Sequence, residues 1–514
     1  MNNFVRSGKK PSYMFVLAHL LAIFILGASS QAQEQWKLED HVAEFVLDNG
    51  MTILVVERHD TPLAFCNLYY NVGSVREDPG ITGISHLLEH MMFKGTNIIG
   101  VKDLEKDKTI NQEIEELENK IYQEKFWKQH PDMQAIKDWE TRVSELQAQE
   151  KECIVKDEFW TLTLGSGATF VNAATSQDMT GYYITLPANK IELQMVLESD
   201  RMVNSFFREF YTEKEVVREE RRLSENSPGF FFTEQLMATF FPGSPYAWHV
   251  LGWDVDLQKI TLQDLRSYYQ KYYVPNNALA IYIGDVDPER ILMLARKYFG
   301  PIPAGEPVEP VRTVDLPQRF EKKINDDQAS KDKITVMYHI PSRADPQVPT
   351  LKVMGELLAG KSGRLIKRLV EEEKIATEVS IIVDAMLFDG CFEIHVELRQ
   401  DSGKTMLELE QILTAEIEQL LEKPPTETEV KKARNQLLSS FYRSLRRPWR
   451  IAGHLAYYQF AAGNWRNLQL YLDNLNTVQP ADVQAVAKKY FRRNNRIVGI
   501  QTTKNEKPSH DTSS

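Results

Sequence analysis

Residues 86–90 read His-Leu-Leu-Glu-His. On a helix, residues four apart lie on one face, so His86 and His90 can present two imidazoles to a single metal ion. Glu89 falls beside that face, where it can reach a metal-bound water without being a ligand. Neutral imidazole suits zinc, and a catalytic zinc site takes a third protein ligand while leaving one position to water. The chemistry such an arrangement suits is hydrolysis, in which the ion acidifies water and polarises a carbonyl while Glu89 takes the proton. Five residues alone are also compatible with a solvated helix. Here Leu87, Leu88, Met91, Met92 and Phe93 are apolar, so the helix is expected to be buried, and buried imidazoles and carboxylates need partners. A metal is the economical one.

Farther along, Glu213, Glu219 and Glu220 lie in a charged stretch that reads as a helix. Glu213 and Glu220, seven apart, share a face, and Glu219 points about a hundred degrees away. Lys214, Arg218, Arg221 and Arg222 make an ordinary surface helix equally compatible with these residues alone. Asn172 by itself is compatible with capping or turning a loop. The other histidines, among them His59, His249 and His454, lack a carboxylate at a pairing distance in sequence and read as structural or surface residues.

Several separate stretches resemble the pitrilysin/insulinase family of zinc peptidases, the inverzincins. Gly83 to Thr96 is similar to the family's motif and its surroundings. Asn172-Ala173-Ala174-Thr175, followed by Tyr182-Tyr183, resembles its substrate-edge strand, and Glu213 through Glu220 its distal glutamate helix. Tyr246 to Gly252 and Gly284-Asp285-Val286-Asp287 match further family stretches. The resemblance implies that Glu220 is the third metal ligand, that Glu213 supports the site, and that Asn172 and Ala173 pair with an extended peptide. It implies one zinc per chain and endopeptidase activity on peptides or small unfolded polypeptides. The His90-to-Glu220 separation is longer than the family usually shows, and an inserted segment inside it accounts for the excess.

One departure bears on assembly. Complete enzymes of the family carry an arginine and a tyrosine in a later domain, near the scissile carbonyl. The matching stretch, Gly363 through Thr377, places Val370 and Thr377 at those positions, unless the register slips and Arg364 or Arg368 stands in. Neither Val nor Thr replaces a cation or a phenol. The resemblance then implies a heterodimer: this chain bears the metal, and a sister subunit bears the missing Arg-Tyr pair. A homodimer is the lesser expectation. A reading from another class is a non-catalytic structural or assembly subunit, but such relatives typically lose motif residues, which are all present here.

The elements that must position these residues come in two copies. Asp264-Leu265, Lys271-Tyr272-Tyr273 and Asn276-Asn277 recur at one constant offset as Asp482-Val483, Lys489-Tyr490-Phe491 and Asn494-Asn495. In both copies an amphipathic helix runs through Asn-Asn into an apolar strand, Ala278 to Ile283 and Arg496 to Ile500. The fold expected is α+β: two homologous tandem domains, each an antiparallel or mixed sheet packed with helices. Residues 33–303 form the first, catalytic domain and 319–505 the second, metal-free one. A Pro/Gly-rich connector over 304–318 joins them. Phe45 to Val56 reads as a hairpin turned at Asn49-Gly50, Pro62 to Asn71 and Lys333 to Ile340 as apolar strands, and Ser402 to Leu421 and Glu427 to Leu445 as helices. From 103 to 157, apolar residues at intervals of three and four, interrupted by Pro131, predict a helical hairpin inserted in the first domain. It reads either as a solvated insertion packed on its own domain or as a docking arm.

Of the 514 residues, 42% are hydrophobic and 26% charged, which excludes wholesale disorder and a multi-span membrane protein. The net charge of -11 makes nucleic acid a poor partner. Arg6, Lys9 and Lys10, the apolar run Met14 to Gly27 and the small residues up to Ala32 read as a signal peptide over 1–32. The expectation is an exported protein, in the periplasm of a Gram-negative bacterium ahead of a secreted or signal-anchored one, with no stable membrane insertion after cleavage. Residues 506–514 read as a disordered tail. Three cysteines, Cys66, Cys153 and Cys391, form no disulfide framework and read as buried small apolar residues.

Overall fold

The computed structural model describes residues 38–311, 318 and 320–503. The leader 1–32, part of the connector and the tail 506–514 lie outside the described residues. Leu38–His41 form a short 3-10 turn, and the body that carries both sheets begins at Val42.

Gly50, at φ +84°, turns the chain from β1 (Ala43–Val46) into β2 (Thr52–Glu57), a conformation that side-chain-bearing residues seldom adopt. These strands join β3 (Leu63–Tyr70), β4 (Phe170–Thr175), β5 (Thr180–Pro187) and β6 (Ala278–Gly284) in one sheet, ordered β1-β2-β6-β3-β5-β4. Alternate residues along the strands enter one core: Ile53 and Val55, Cys66 and Leu68, Tyr182 and Ile184. That period of two puts them on one face of the sheet, while Leu54, Phe65, Ile281 and Ile283 on the opposite face are buried too, so the central strands are covered on both sides. The helices that cover the first of these faces are α1 (Ile84–Met91), α4 (Ile191–Asn204), α6 (Leu262–Tyr272) and α7 (Pro288–Tyr298).

The hairpin between the first and second of these helices consists of α2 (Leu104–Trp127) and α3 (Met133–Cys153), as the apolar intervals and Pro131 predict. Asp103 and Asp132 cap the two helices by accepting from backbone N–H groups of their first turns. Ile110, Ile114, Ile121, Ile136, Val143 and Leu146 form a small core of its own. The distal glutamates lie on α5 (Phe210–Glu225).

The second sheet contains β7 (Lys322–Asp326), β8 (Lys333–His339), β9 (Ala376–Ala385), β10 (Gly390–Leu398) and β11 (Arg496–Gln501), ordered β7-β11-β8-β10-β9. It repeats β2-β6-β3-β5-β4 strand for strand. Each sheet has one parallel pair, β2 with β6 and β7 with β11, and otherwise antiparallel neighbours. The fold is therefore α+β, two homologous units with a helical hairpin inserted in the first. Of the two helices read from Ser402 and Glu427, the first begins later, at Met406. Thr405 and Glu408 form a capping box there, each side chain accepting from the other's backbone N–H. Residues 304–311 of the connector adopt neither helix nor strand.

A shared apolar cluster joins the units, with Phe232, Phe240 and Tyr246 from the first packed on Met337, Met386 and Ile497 from the second. At its edge the Tyr246 hydroxyl donates to buried Asp178 at 2.5 Å, and Asp178 accepts the Leu387 N–H at 3.2 Å. All three cysteines are buried and free, as expected.

Candidate metal centre

Gly83 begins α1 at φ +87°, and a Cβ there would lie 2.6 Å from the Leu251 carbonyl oxygen, so the motif helix starts where only glycine fits. The start is also held by a residue that sequence reasoning missed. Glu77, 2% exposed, accepts from the Gly83 N–H at 2.8 Å, the Ser85 N–H at 2.9 Å and Trp248 Nε1 at 3.1 Å. It thereby satisfies the orphan donors of the first turn. Burial pushes its carboxyl up to about 7, against the pull of these donors. An acidic residue ahead of a glycine-led helix is the only signal that could have pointed to it.

Leu87, Leu88 and Met91 anchor α1 in the first core, which turns His86 and His90 together toward α5. Glu220 Oε2 lies 3.7 Å from His86 Nε2 and 3.6 Å from His90 Nε2, and the three ligand atoms are within 4.8 Å of one another. Tetrahedral zinc with bonds of 2.0–2.1 Å would hold neighbouring ligand atoms roughly 3.4 Å apart. The two His–Glu220 spacings lie within a few tenths of an ångström of that value; two imidazole nitrogens and one carboxylate oxygen are a donor set that suits zinc and leaves a fourth position open.

His90 Nδ1 is 2.9 Å from Glu213 Oε1, which leaves Nε2 with the free lone pair when Nδ1 carries the proton. Lys94, four residues beyond His90, completes this support with Nζ 2.6 Å from Glu213 Oε2. Burial works against the Glu213 carboxylate, but the contacts with His90 and Lys94 outweigh it and hold the group down to about 2. Glu89 Oε2 accepts the Thr175 hydroxyl at 2.6 Å; burial raises its pKa, and that hydrogen bond only partly offsets the rise. Glu219 instead pairs with Arg222 on the exposed side of α5.

Burial, with His90 and His249 nearby, lowers His86 to about 3. Because this lies below the ordinary value of 6.5, the unfolded chain binds more protons between the two. The associated stability is present above pH 6.5 and is lost as pH falls toward 3. In the metal-free protein, a drop from pH 7 to pH 5 should remove about 2 kcal/mol through His86, and His86→Asn should flatten that slope. Because Glu77, held up to about 7, gains stability as pH falls over the same window, the effect is read as the difference between the urea-midpoint shifts of wild type and variant; equal shifts in the two would acquit His86.

Asn172 and Ala173 lie on β4, which among the described residues pairs with β5 alone and ends the sheet, leaving its other edge open. Asn172 is exposed, and its Oδ1 accepts the Ala173 N–H at 2.9 Å. Thr175, the last residue of the same strand, is the one bonded to Glu89, so the open edge runs beside the three converged side chains.

In the second unit, Val370 packs against the core, and the Thr377 hydroxyl donates to Glu397 at 2.8 Å. Arg364 is bound to Glu429 and Arg368 to Glu373 and Glu416. His59 is a surface residue, as read from the sequence, and it has two carboxylate partners there, Asp285 at 2.7 Å and Glu57 at 3.3 Å. Sequence spacing missed Asp285 because the β-sheet brings it across from the far end of the unit.

Two family models match the chain: Insulinase (Peptidase family M16) over residues 52–129 and Peptidase M16 inactive domain over residues 259–437. The chain belongs to the insulinase family, peptidase family M16. A zinc protease of Helicobacter pylori, PqqE, is 25% identical over 476 residues, 91% of this chain and 93% of that protein. A probable mitochondrial-processing peptidase subunit beta of Arabidopsis thaliana is 22% identical, covering 87% of this chain and 75% of its own length. The crystal structure of a protease from Helicobacter pylori superposes with a TM-score of 0.71 at 22% identity, over 90% of this chain and 99% of the other.

Proposed function

We propose that the chain is a zinc-dependent endopeptidase acting on peptides or small unfolded polypeptides. The convergence of His86, His90 and Glu220 beside a carboxylate held by Thr175 carries this reading. In it, those three residues hold one zinc ion per chain, Glu213 sets the His90 tautomer and Glu89 is the general base. Zinc, when bound, supplies a Lewis acid that acidifies water and polarises the scissile carbonyl. Glu89 takes the proton of the attacking water and passes it to the leaving amine. Its raised pKa makes it a stronger base, and Thr175 orients it. A peptide adds to the open edge of β4 as an extended strand beside Asn172 and Ala173, a mode that reads backbone more than side chains.

In this reading residues 33–303 are the catalytic domain, 304–318 the connector and 319–505 a metal-free domain. The leader 1–32 directs export, to the periplasm of a Gram-negative bacterium. Val370 and Thr377, where a cation and a phenol are needed, make the chain the metal-bearing subunit of a clam-like heterodimer. Prolonged dialysis against a zinc chelator should abolish peptide hydrolysis, and stoichiometric zinc should restore it. Hydrolysis that persists in demonstrably metal-free protein would refute the reading.

A further inference from the structure

The inserted hairpin is attached where α5 begins, and that junction is unusual. Glu209 caps α5 with φ +55°, a left-handed conformation that a residue with a side chain adopts only when its surroundings impose it. Two hairpin carboxylates supply the surroundings. Glu150 of α3, 2% exposed, accepts the Glu209 N–H at 3.1 Å. Asp107 of α2 holds Arg208 Nε at 2.6 Å, in an ion pair whose side chains are both fully buried. Asn111 ties the two together, donating to Asp107 and to Glu150 at 3.0 Å each. Arg208 also donates to the Thr96 carbonyl at 2.7 Å, so the same grip reaches the segment just after the motif helix.

From Glu209 the connection continues to the metal centre. The Glu209 carbonyl accepts the Glu213 N–H at 2.8 Å, and Glu213 meets His90 Nδ1 at 2.9 Å. Lys94 bridges the Glu209 and Glu213 carboxylates at 3.4 and 2.6 Å. Toward its tip the hairpin stands off α5 across a cavity of about 530 Å³ lined by Tyr122, Val143, Tyr211, Lys214 and Arg218. On α5 the grip is therefore at the root, while farther out Glu115 of α2 accepts from Arg266 of α6 at 2.8 Å.

We infer that the inserted hairpin is a brace for the distal-glutamate helix, and that Glu150 and Asp107 are positioning residues for the metal centre. The inference rests on the metal assignment proposed above only for its consequence at zinc. By fixing the left-handed Glu209, the two residues set the direction in which α5 leaves and so where Glu213 and Glu220 arrive. Loss of a group supporting metal ligands typically weakens metal binding about 10- to 100-fold.

Two readouts on the full-length chain test this. In metal-free protein, Glu150→Ala and the shortened Glu150→Asp should speed amide hydrogen exchange over residues 209–216 about 10-fold, with protection in β3 and β5 unchanged. Both should also weaken zinc about 10-fold or more in competition with a chelator. Glu150→Gln, which keeps an acceptor, and Trp127→Ala at the exposed tip should match wild type in both. Unchanged exchange at 209–216 in Glu150→Ala and Glu150→Asp would overturn the brace, as would Trp127→Ala reproducing their effect. A wild-type chain that binds no zinc would overturn the metal assignment, while the exchange comparison would still decide the brace.

Discussion

Glu89→Gln will leave the chain folded and zinc-loaded while lowering kcat/KM for peptide hydrolysis by roughly 10²–10⁴-fold. Glutamine has the same shape, and its carbonyl can still accept the Thr175 hydroxyl that glutamate accepts at 2.6 Å. What it lacks is a basic lone pair. The burial that raises the Glu89 pKa makes this loss matter, because a carboxylate in water would be a weaker base for the same proton. Steady-state kinetics beside a zinc determination on the same sample measure the effect. Activity within a few-fold of wild type would assign the base elsewhere.

The second large effect concerns the partner. The chain alone should hydrolyse peptides roughly 10²–10³-fold more slowly than when mixed with a sister subunit carrying the Arg-Tyr pair, the usual cost of a missing oxyanion donor. Val370 packs in the core, Thr377 is bound to Glu397, and Arg364 and Arg368 are committed to carboxylates of their own unit. Val370 and Thr377 offer a substrate carbonyl neither a cation nor a phenol, and both arginines are already paired with carboxylates. Titrating the candidate sister into a fixed amount of this chain and following hydrolysis measures the gain. Full activity without it would remove the need for a heterodimer.

Both effects concern residues that sequence could name, because short-range periodicity or a family pattern points to them. His86 and His90 follow from a four-residue interval, and the duplicated unit from Asp264-Leu265 recurring as Asp482-Val483. The hairpin helices follow from apolar intervals and Pro131. What sequence hides is contact between residues far apart in the chain. Glu77 reaches Trp248, Glu150 reaches Glu209, Asp178 reaches Tyr246, and His59 reaches Asp285. None of these pairs has a spacing that a helix or strand period would reveal. Glu209 adds a backbone conformation that its residue type disfavours, so local propensity argues against the observed junction. The pairing of Glu213 with His90 lies between these cases: the seven-residue interval puts Glu213 and Glu220 on one face, but only the packing of α1 on α5 says which atoms meet.

The proposed chemistry requires three side chains from two helices to hold one ion. Elemental analysis of the purified full-length chain, beside His86→Ala and Glu220→Ala, tests that most directly. One zinc per chain is expected in wild type, none retained in His86→Ala after dialysis, and a weakly held, readily dialysed ion in Glu220→Ala. A wild-type chain without zinc, or variants that retain it as tightly as wild type, would contradict that requirement.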